Sequence, residues 1–300
     1  MSLGCFQPLT LGTAQLGMHY GIANVDGQPD PQEAVRILET ARAGFGFLDT
    51  AAAYGDSESV LGQWLPRVDP GQGFRIVSKI APGSAVEQWR PELEESLKRL
   101  GRSSLFGWLL HHESDFPRLH AGGREVVAEA LRAGFIQGFG VSCYTPEMAV
   151  AALAIPEVTI LQVPASVFDR RFLSEAILAA LKRRSGFLFV RSVFLQGVCL
   201  MPPDVVPAKV PGGSLAVARL EAFCRRHDLE RKNFCLHYLN HLLDGVPHSL
   251  IVGAETARQV GEIQLALRTP PPDPDVFSSW EREQPQAAVE LVNPLLWKRD

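Results

Sequence analysis

Asp49, Tyr54, Lys79 and His111 are the residues of this sequence whose types and places could do chemistry together. Asp49, Lys79 and His111 each close a short apolar run. Tyr54 follows Asp49 in the loop Ala51-Ala52-Ala53-Tyr54-Gly55-Asp56-Ser57-Glu58. Taken singly, each has an ordinary structural explanation. An aspartate after a strand caps a turn or helix, a lysine there is solvated, and a histidine meets a nearby carbonyl. As a set they suit reduction of a carbonyl. Hydride addition leaves negative charge on oxygen, which needs a proton donor already in place. A tyrosine with a pKa of about 10 is a poor donor unless a neighbouring ammonium stabilises its phenolate. An aspartate beside that lysine keeps it charged, and a histidine orients the substrate oxygen with a second hydrogen bond.

Such a set needs elements that bring distant strand ends to one place. Strands are expected at 9–12, 45–49, 74–79, 105–111, 136–141, 159–163, 187–191 and 249–252. Amphipathic helical stretches such as 31–43, 86–100, 124–133, 173–184 and 215–227 lie between them. Repeated strand–helix alternation implies parallel strands with helical crossovers. Eight such units in 300 residues fit an α/β fold, a closed (β/α)8 TIM barrel, in which strand C-termini share one mouth. The competing open, doubly wound sheet announces itself with G-x-G-x-x-G after the first strand, and no such motif is present. The whole chain, 1–300, is expected to be a single barrel domain, with 201–213 a βα loop and 269–300 a C-terminal extension packed on the barrel.

Composition narrows the class further. The chain is 46% hydrophobic and 21% charged, with a net charge of −4. That balance argues against a nucleic-acid backbone or an anionic membrane as partner. No uncharged apolar run reaches the length of a membrane span. The stretch before the first charged residue, Asp26, has no basic start and is broken by Gly4, Pro8, Gly12 and Gly17, unlike a signal sequence. Cys5, Cys143, Cys199, Cys224 and Cys235 are odd in number and form no C-x-x-C pair. They suit free thiols in a reducing compartment, so a cytoplasmic location is expected. Oligomeric state stays open, since no heptad or isolated apolar stripe is evident.

Phe47-Leu48-Asp49-Thr50-Ala51-Ala52-Ala53-Tyr54-Gly55-Asp56-Ser57-Glu58, closed by Leu61-Gly62, resembles the F-x-D-T-A-x-x-Y-G-x-S-E signature of the aldo-keto reductase superfamily. The resemblance implies a carbonyl oxidoreductase with the tetrad Asp49, Tyr54, Lys79 and His111. Strand alternation favours His111 over the adjacent His112. The resemblance also implies a nicotinamide cofactor, NADPH in preference to NADH, and a small-molecule carbonyl substrate. Gly12 and Thr13 match residues that approach the cofactor. Gly140-Val141-Ser142-Cys143 is similar to a G-V-S-N segment, with Ser142 and Gln162 implied at the carboxamide and Cys143 replacing the amide side chain. Arg191 and Ser192 open a segment whose usual tyrosine stacks on the nicotinamide, and here Arg191 takes that place. Ile251-Val252-Gly253-Ala254 resembles the turn before the adenosine-phosphate site, where Gly253 and Arg258 are implied and Ile263 replaces an asparagine.

Those departures keep a second reading open, a cofactor-binding sensor or partner-binding subunit of the same fold with little turnover. A third keeps the barrel for lyase or epimerase chemistry on sugars. No metal is expected. His237 and His241 have zinc-pair spacing, but no third ligand accompanies them. Cys143 reads as a small packing residue, and the run Lys182-Arg183-Arg184 as a solvated helix end.

Overall fold

A computed structural model describes residues 9–25 and 27–297, so Cys5 and Asp26 lie outside the described residues. Eight parallel strands close on themselves in chain order. They are β1 (Leu9–Gly12), β2 (Phe47–Asp49), β3 (Arg75–Ile80), β4 (Leu105–Leu110), β5 (Ile136–Ser142), β6 (Val158–Pro164), β7 (Phe187–Arg191) and β8 (His248–Gly253). All eight expected strands form, with small shifts of boundary. β2 begins at Phe47: Phe45 N–H still donates to the Ala41 carbonyl in the preceding turn, while Gly46 N–H already donates across to the Leu9 carbonyl of β1. His111 lies one residue past β4.

The strands are apolar on both faces because the barrel buries both. Inward-facing Phe47, Val77, Leu109, Ile160, Phe187, Phe189 and Ile251 form a cluster of their own inside the barrel. Phe47 packs its ring 5.0 to 5.3 Å from those of Phe106, Phe187 and Phe189. Each such buried aromatic contributes about 2–3 kcal/mol by leaving water. The alternate residues, Leu48, Ile76, Trp108, Val141, Leu161, Val190 and Leu250, belong to the outer core beneath the helices. On β5 the inward places are glycines because β6 comes close. A Cβ on Gly140 would stand 2.4 Å from the Ile160 carbonyl oxygen.

The helices begin where the sequence caps them. Asp30 accepts from Glu33 N–H ahead of Pro31–Ala41, and Thr145 accepts from Met148 N–H ahead of Pro146–Leu153. Val86–Leu100 buries Trp89, Leu93, Leu97 and Leu100 at helical spacing and ends on left-handed Gly101. The segment after Arg268 carries the helix Pro274–Glu283. Its Phe277 and Trp280 are buried, and the Trp280 indole donates to the Val167 carbonyl at 3.0 Å. Among the described residues no helix is long and apolar enough to cross a membrane.

Candidate active site

The alternation that fills the barrel also fixes the residues above that filling. Two residues beyond the inward Phe47, Val77, Leu109, Ile160, Phe189 and Ile251 come Asp49, Lys79, His111, Gln162, Arg191 and Gly253. The same period carries β1 from the buried Thr10 to Gly12, and β5 from Gly140 to Ser142. Each strand thus offers one residue to the mouth, at the C-terminal face where barrel active sites lie. Register sets Gly12 beside Asp49 and Gly253, and Ser142 beside Gln162, while Lys79, His111 and Arg191 each stand two residues beyond the partner of Asp49, Lys79 and Gln162 on the preceding strand.

Asp49 is the hub. Its Oδ1 accepts from Lys79 Nζ at 2.8 Å and from Gln162 Nε2 at 2.7 Å. Lys79 Nζ also donates to the Thr50 carbonyl at 2.9 Å, so the ammonium is fixed although its side chain is 0% exposed. Burial pulls the Lys79 pKa below its ordinary value, and the Asp49 carboxylate works against that fall. Behind Asp49 lies a small hydroxyl cluster. Thr13 donates to the Asp49 carbonyl at 2.9 Å, and Ser57 lies 2.8 Å from the Thr13 hydroxyl and 3.0 Å from that of Thr50. Two polar residues of the loop signature, Ser57 and Glu58, are therefore structural. Glu58 is buried and accepts from Ser78 and from two nitrogens of Arg99.

Tyr54 is held over this hub by a tight backbone contact. Asp56 N–H donates to the Gly17 carbonyl at 3.2 Å, and a Cβ on Gly17 would stand 1.9 Å from the Tyr54 carbonyl oxygen. Gly55, at φ +54°, makes the turn. The Lys79 ammonium lies 4.7 Å from the centre of the Tyr54 ring, and the His111 ring meets Tyr54 edge-on at 5.4 Å. Burial first, and then the Asp49 charge, hold the Tyr54 phenol well above its ordinary pKa, while Arg191 acts the other way. The lowering expected from the neighbouring ammonium is therefore outweighed by burial and the Asp49 charge. The ammonium's charge is already matched by Asp49, and the phenol stays a loaded donor. His111 is pushed down to about 3, by burial first and then by the charges of Lys79 and Arg191, so the imidazole is neutral. Its Nδ1 is buried without a partner. His112 turns away, packing at a tilt against the Tyr144 ring at 5.0 Å and capping the turn at Ser114 N–H.

A cavity of about 830 Å³ opens beside Asp49, Tyr54 and Gln162. It passes the loop after β7, where Ser192, Leu195, Gln196 and Gly197 all have positive φ. From there it runs to an arm walled by Arg225, Arg231, Lys232, Arg258 and Glu262. Gly12, Thr13, Arg191, Ser192, Gly253 and Arg258 line it as well. Lys79, His111 and Ser142 adjoin these residues but are not among those that line it. Arg191 leans across β6, donates to the Cys143 carbonyl at 3.1 Å and lies 4.4 Å over the Tyr144 ring. Tyr144 was missed by sequence reasoning. Its signal was an aromatic just past the end of β5. Gln15, which fills the space beside Gly253, was missed too. Cys143 is fully buried, and burial pushes its thiol up to about 12, which suits a packing residue. His237 bonds the Ala266 carbonyl and His241 stacks on Phe277. Among the described residues no group of three or more metal-ligating side chains forms.

Comparison with known proteins identifies the family and the fold. The family model described as the Aldo/keto reductase family matches residues 8–282. A holo-form aldo-keto reductase from Bacillus halodurans is 19% identical, with a TM-score of 0.74, and the match covers 97% of this chain and 95% of that one. Two structures from Pseudomonas aeruginosa assigned to the aldo-keto reductases are 23% and 24% identical, with TM-scores of 0.64 and 0.62. They cover 86% and 87% of this chain, and 88% and 90% of their own. These structural likenesses show the fold. No curated protein matches the chain.

Proposed function

The chain belongs to the aldo/keto reductase family, and from that premise we propose that it reduces an aldehyde or ketone with a nicotinamide dinucleotide, Tyr54 giving the proton. Family membership makes it an oxidoreductase of carbonyl compounds in general. The particular assignment rests on one observation: Asp49, Lys79, Tyr54 and His111 are packed together where Asp49 and Tyr54 line a cavity of about 830 Å³.

The cavity suits such a cofactor. Gly12 and Gly253 present bare backbone to it, and Arg191 keeps its Nε buried without an acceptor. Gln162 and Ser142 would meet the carboxamide, while Gly12, Thr13, Ser192 and Gly253 would let the backbone approach. When bound, the reduced nicotinamide supplies hydride to the carbonyl carbon.

The chain's own residues handle the oxygen. Tyr54 O–H donates to it and transfers the proton as negative charge develops. The phenolate left behind faces the Lys79 ammonium under its ring, which stabilises it at that moment. Asp49 holds Lys79 charged and in place. Neutral His111 has a single N–H to offer, which orients the carbonyl without competing as an acid.

The test is a fluorescence titration with NADH and NADPH alongside a Tyr54→Phe variant. Nucleotide binding should survive in both proteins, with carbonyl-dependent oxidation falling about 10²–10⁴-fold in the variant. Binding without turnover on any carbonyl by the unaltered protein would instead favour the sensor or partner-subunit reading. No binding of either nucleotide would remove the proposal.

A further inference from the structure

The far arm of the cavity carries charges that the chemistry at the mouth does not use. With the reacting ring at Asp49 and Tyr54, the adenosine half of a dinucleotide has only this arm to occupy. Its wall holds four cations, Arg225, Arg231, Lys232 and Arg258, and four carboxylates, Glu221, Glu230, Glu255 and Glu262. We infer that this arm selects a dinucleotide with a free 2′-hydroxyl on its adenosine ribose, NADH over NADPH, and that Glu262 is the residue that decides it. The inference rests on the reading proposed above, and it differs from the NADPH preference that the family resemblance implied.

The first ground is that the cations are already matched. Glu262 takes Lys232 Nζ at 2.7 Å on one oxygen and the Arg258 guanidinium on the other. Arg225 faces Glu221 at 3.4 Å. Arg231 directs two nitrogens at the carbonyls of Leu200 and Met201. A 2′-phosphate would have to compete with Glu262 for both Lys232 and Arg258, and would then lie beside a displaced carboxylate.

The second ground is the helix Ala257–Arg268, whose positive end opens on the arm. Helix N-termini bind phosphate through free amides. Here the Ala257 amide donates to Glu33 Oε1 at 2.6 Å, a contact between residues 224 positions apart. That bond is the main reason the Glu33 carboxyl sits below its ordinary pKa. The amides of Glu255 and Thr256 are turned to Gln259 Oε1, and the Gln259 amide to the Thr256 hydroxyl. The protein's own groups thus occupy the amides of Glu255, Thr256, Ala257 and Gln259.

A ribose diol meets the opposite situation. Among the described residues the Glu255 carboxylate has only a 3.5 Å contact from Gln15, so it retains accepting capacity for a hydroxyl. Carboxylates accept a ribose 2′-hydroxyl, whereas a free arginine accommodates the 2′-phosphate. Ile263, buried where an asparagine was expected, adds no donor.

The experiment is a protein-fluorescence titration with NADH and with NADPH, on the unaltered chain and on Glu262→Gln. NADH should bind the unaltered chain about tenfold more tightly. Releasing Lys232 and Arg258 should reduce that ratio of dissociation constants about fivefold in the variant. Should Glu262→Gln fail to fold, Glu255→Gln should shift the ratio in the same direction. Equal or tighter NADPH binding by the unaltered chain overturns the inference and leaves the reductase reading standing. A ratio unmoved by the substitutions overturns the role of Glu262. Failure of both nucleotides to bind removes the reductase reading and the inference together.

Discussion

Replacing Asp49 by asparagine tests whether the hub is an ion pair or merely a hydrogen bond. The two side chains are 0% and 6% exposed and 2.8 Å apart. At an effective dielectric of about 20 their attraction is about 6 kcal/mol. Asparagine keeps an acceptor for Lys79, and the lysine can relax by losing its proton, so the net loss is smaller, about 3 kcal/mol near neutral pH. For a chain of this size that lowers the melting temperature by about 6 °C. The loss should depend on pH in a definite direction. Burial holds the folded Lys79 pKa below its ordinary 10.5. Between the folded and ordinary values the unfolded chain binds more protons, so stability is gained as pH rises and lost as it falls. Removing the Asp49 charge lowers the folded value further and extends that window downward. The deficit of Asp49→Asn should therefore be largest at pH 6 and shrink by pH 9. Adding Lys79→Met should recover stability at pH 6, because no buried charge is left unpaired. Thermal melts by circular dichroism at one scan rate decide it. A deficit that does not change with pH, together with a double variant no more stable than the single one, would refute the ion-pair account.

Gly17→Ala should dislodge Tyr54 without touching it. The new Cβ would meet backbone, at 1.9 Å from the Tyr54 carbonyl oxygen and 2.4 Å from Ser57 N. A loss of about 3 kcal/mol in urea unfolding is expected, with a fall in carbonyl turnover, and an unaltered midpoint would show that the contact yields. His111, pushed down to about 3, should show ring-proton shifts that stay constant from about pH 7.5 to about 4.5. Stability should consequently fall as pH drops from 6.5 towards 3, where the unfolded chain binds the extra proton. Replacement by asparagine should flatten that fall. An imidazole titrating near its ordinary value would contradict the burial argument.

Local pattern carried much of this protein. Short apolar runs alternating with helical stretches located the eight strands within a few residues, and strand ends pointed to Asp49, Lys79 and His111. Alternation also chose His111 over His112, whose ring lies on Tyr144 outside the cluster. These features are legible because each depends on neighbours in the chain. The sequence could not show that Arg191 would lean over Tyr144, or that Thr13 would serve the Asp49 carbonyl. Nor could it show that Arg258, implied at the adenosine-phosphate site, and Lys232 would both meet Glu262. The proton balance of Tyr54 was likewise misjudged from residue types, because desolvation outweighs a lysine whose charge is already matched.

The residue types and the chemistry they can perform were therefore set by the linear chain. The ring of mouth residues, the Gly17 contact and the pairing of charges in the far arm were decided only when the barrel closed. Cross-strand register and contacts such as Glu33 with Ala257 join residues far apart in sequence. Their energies depend on distance and burial, which no local pattern encodes.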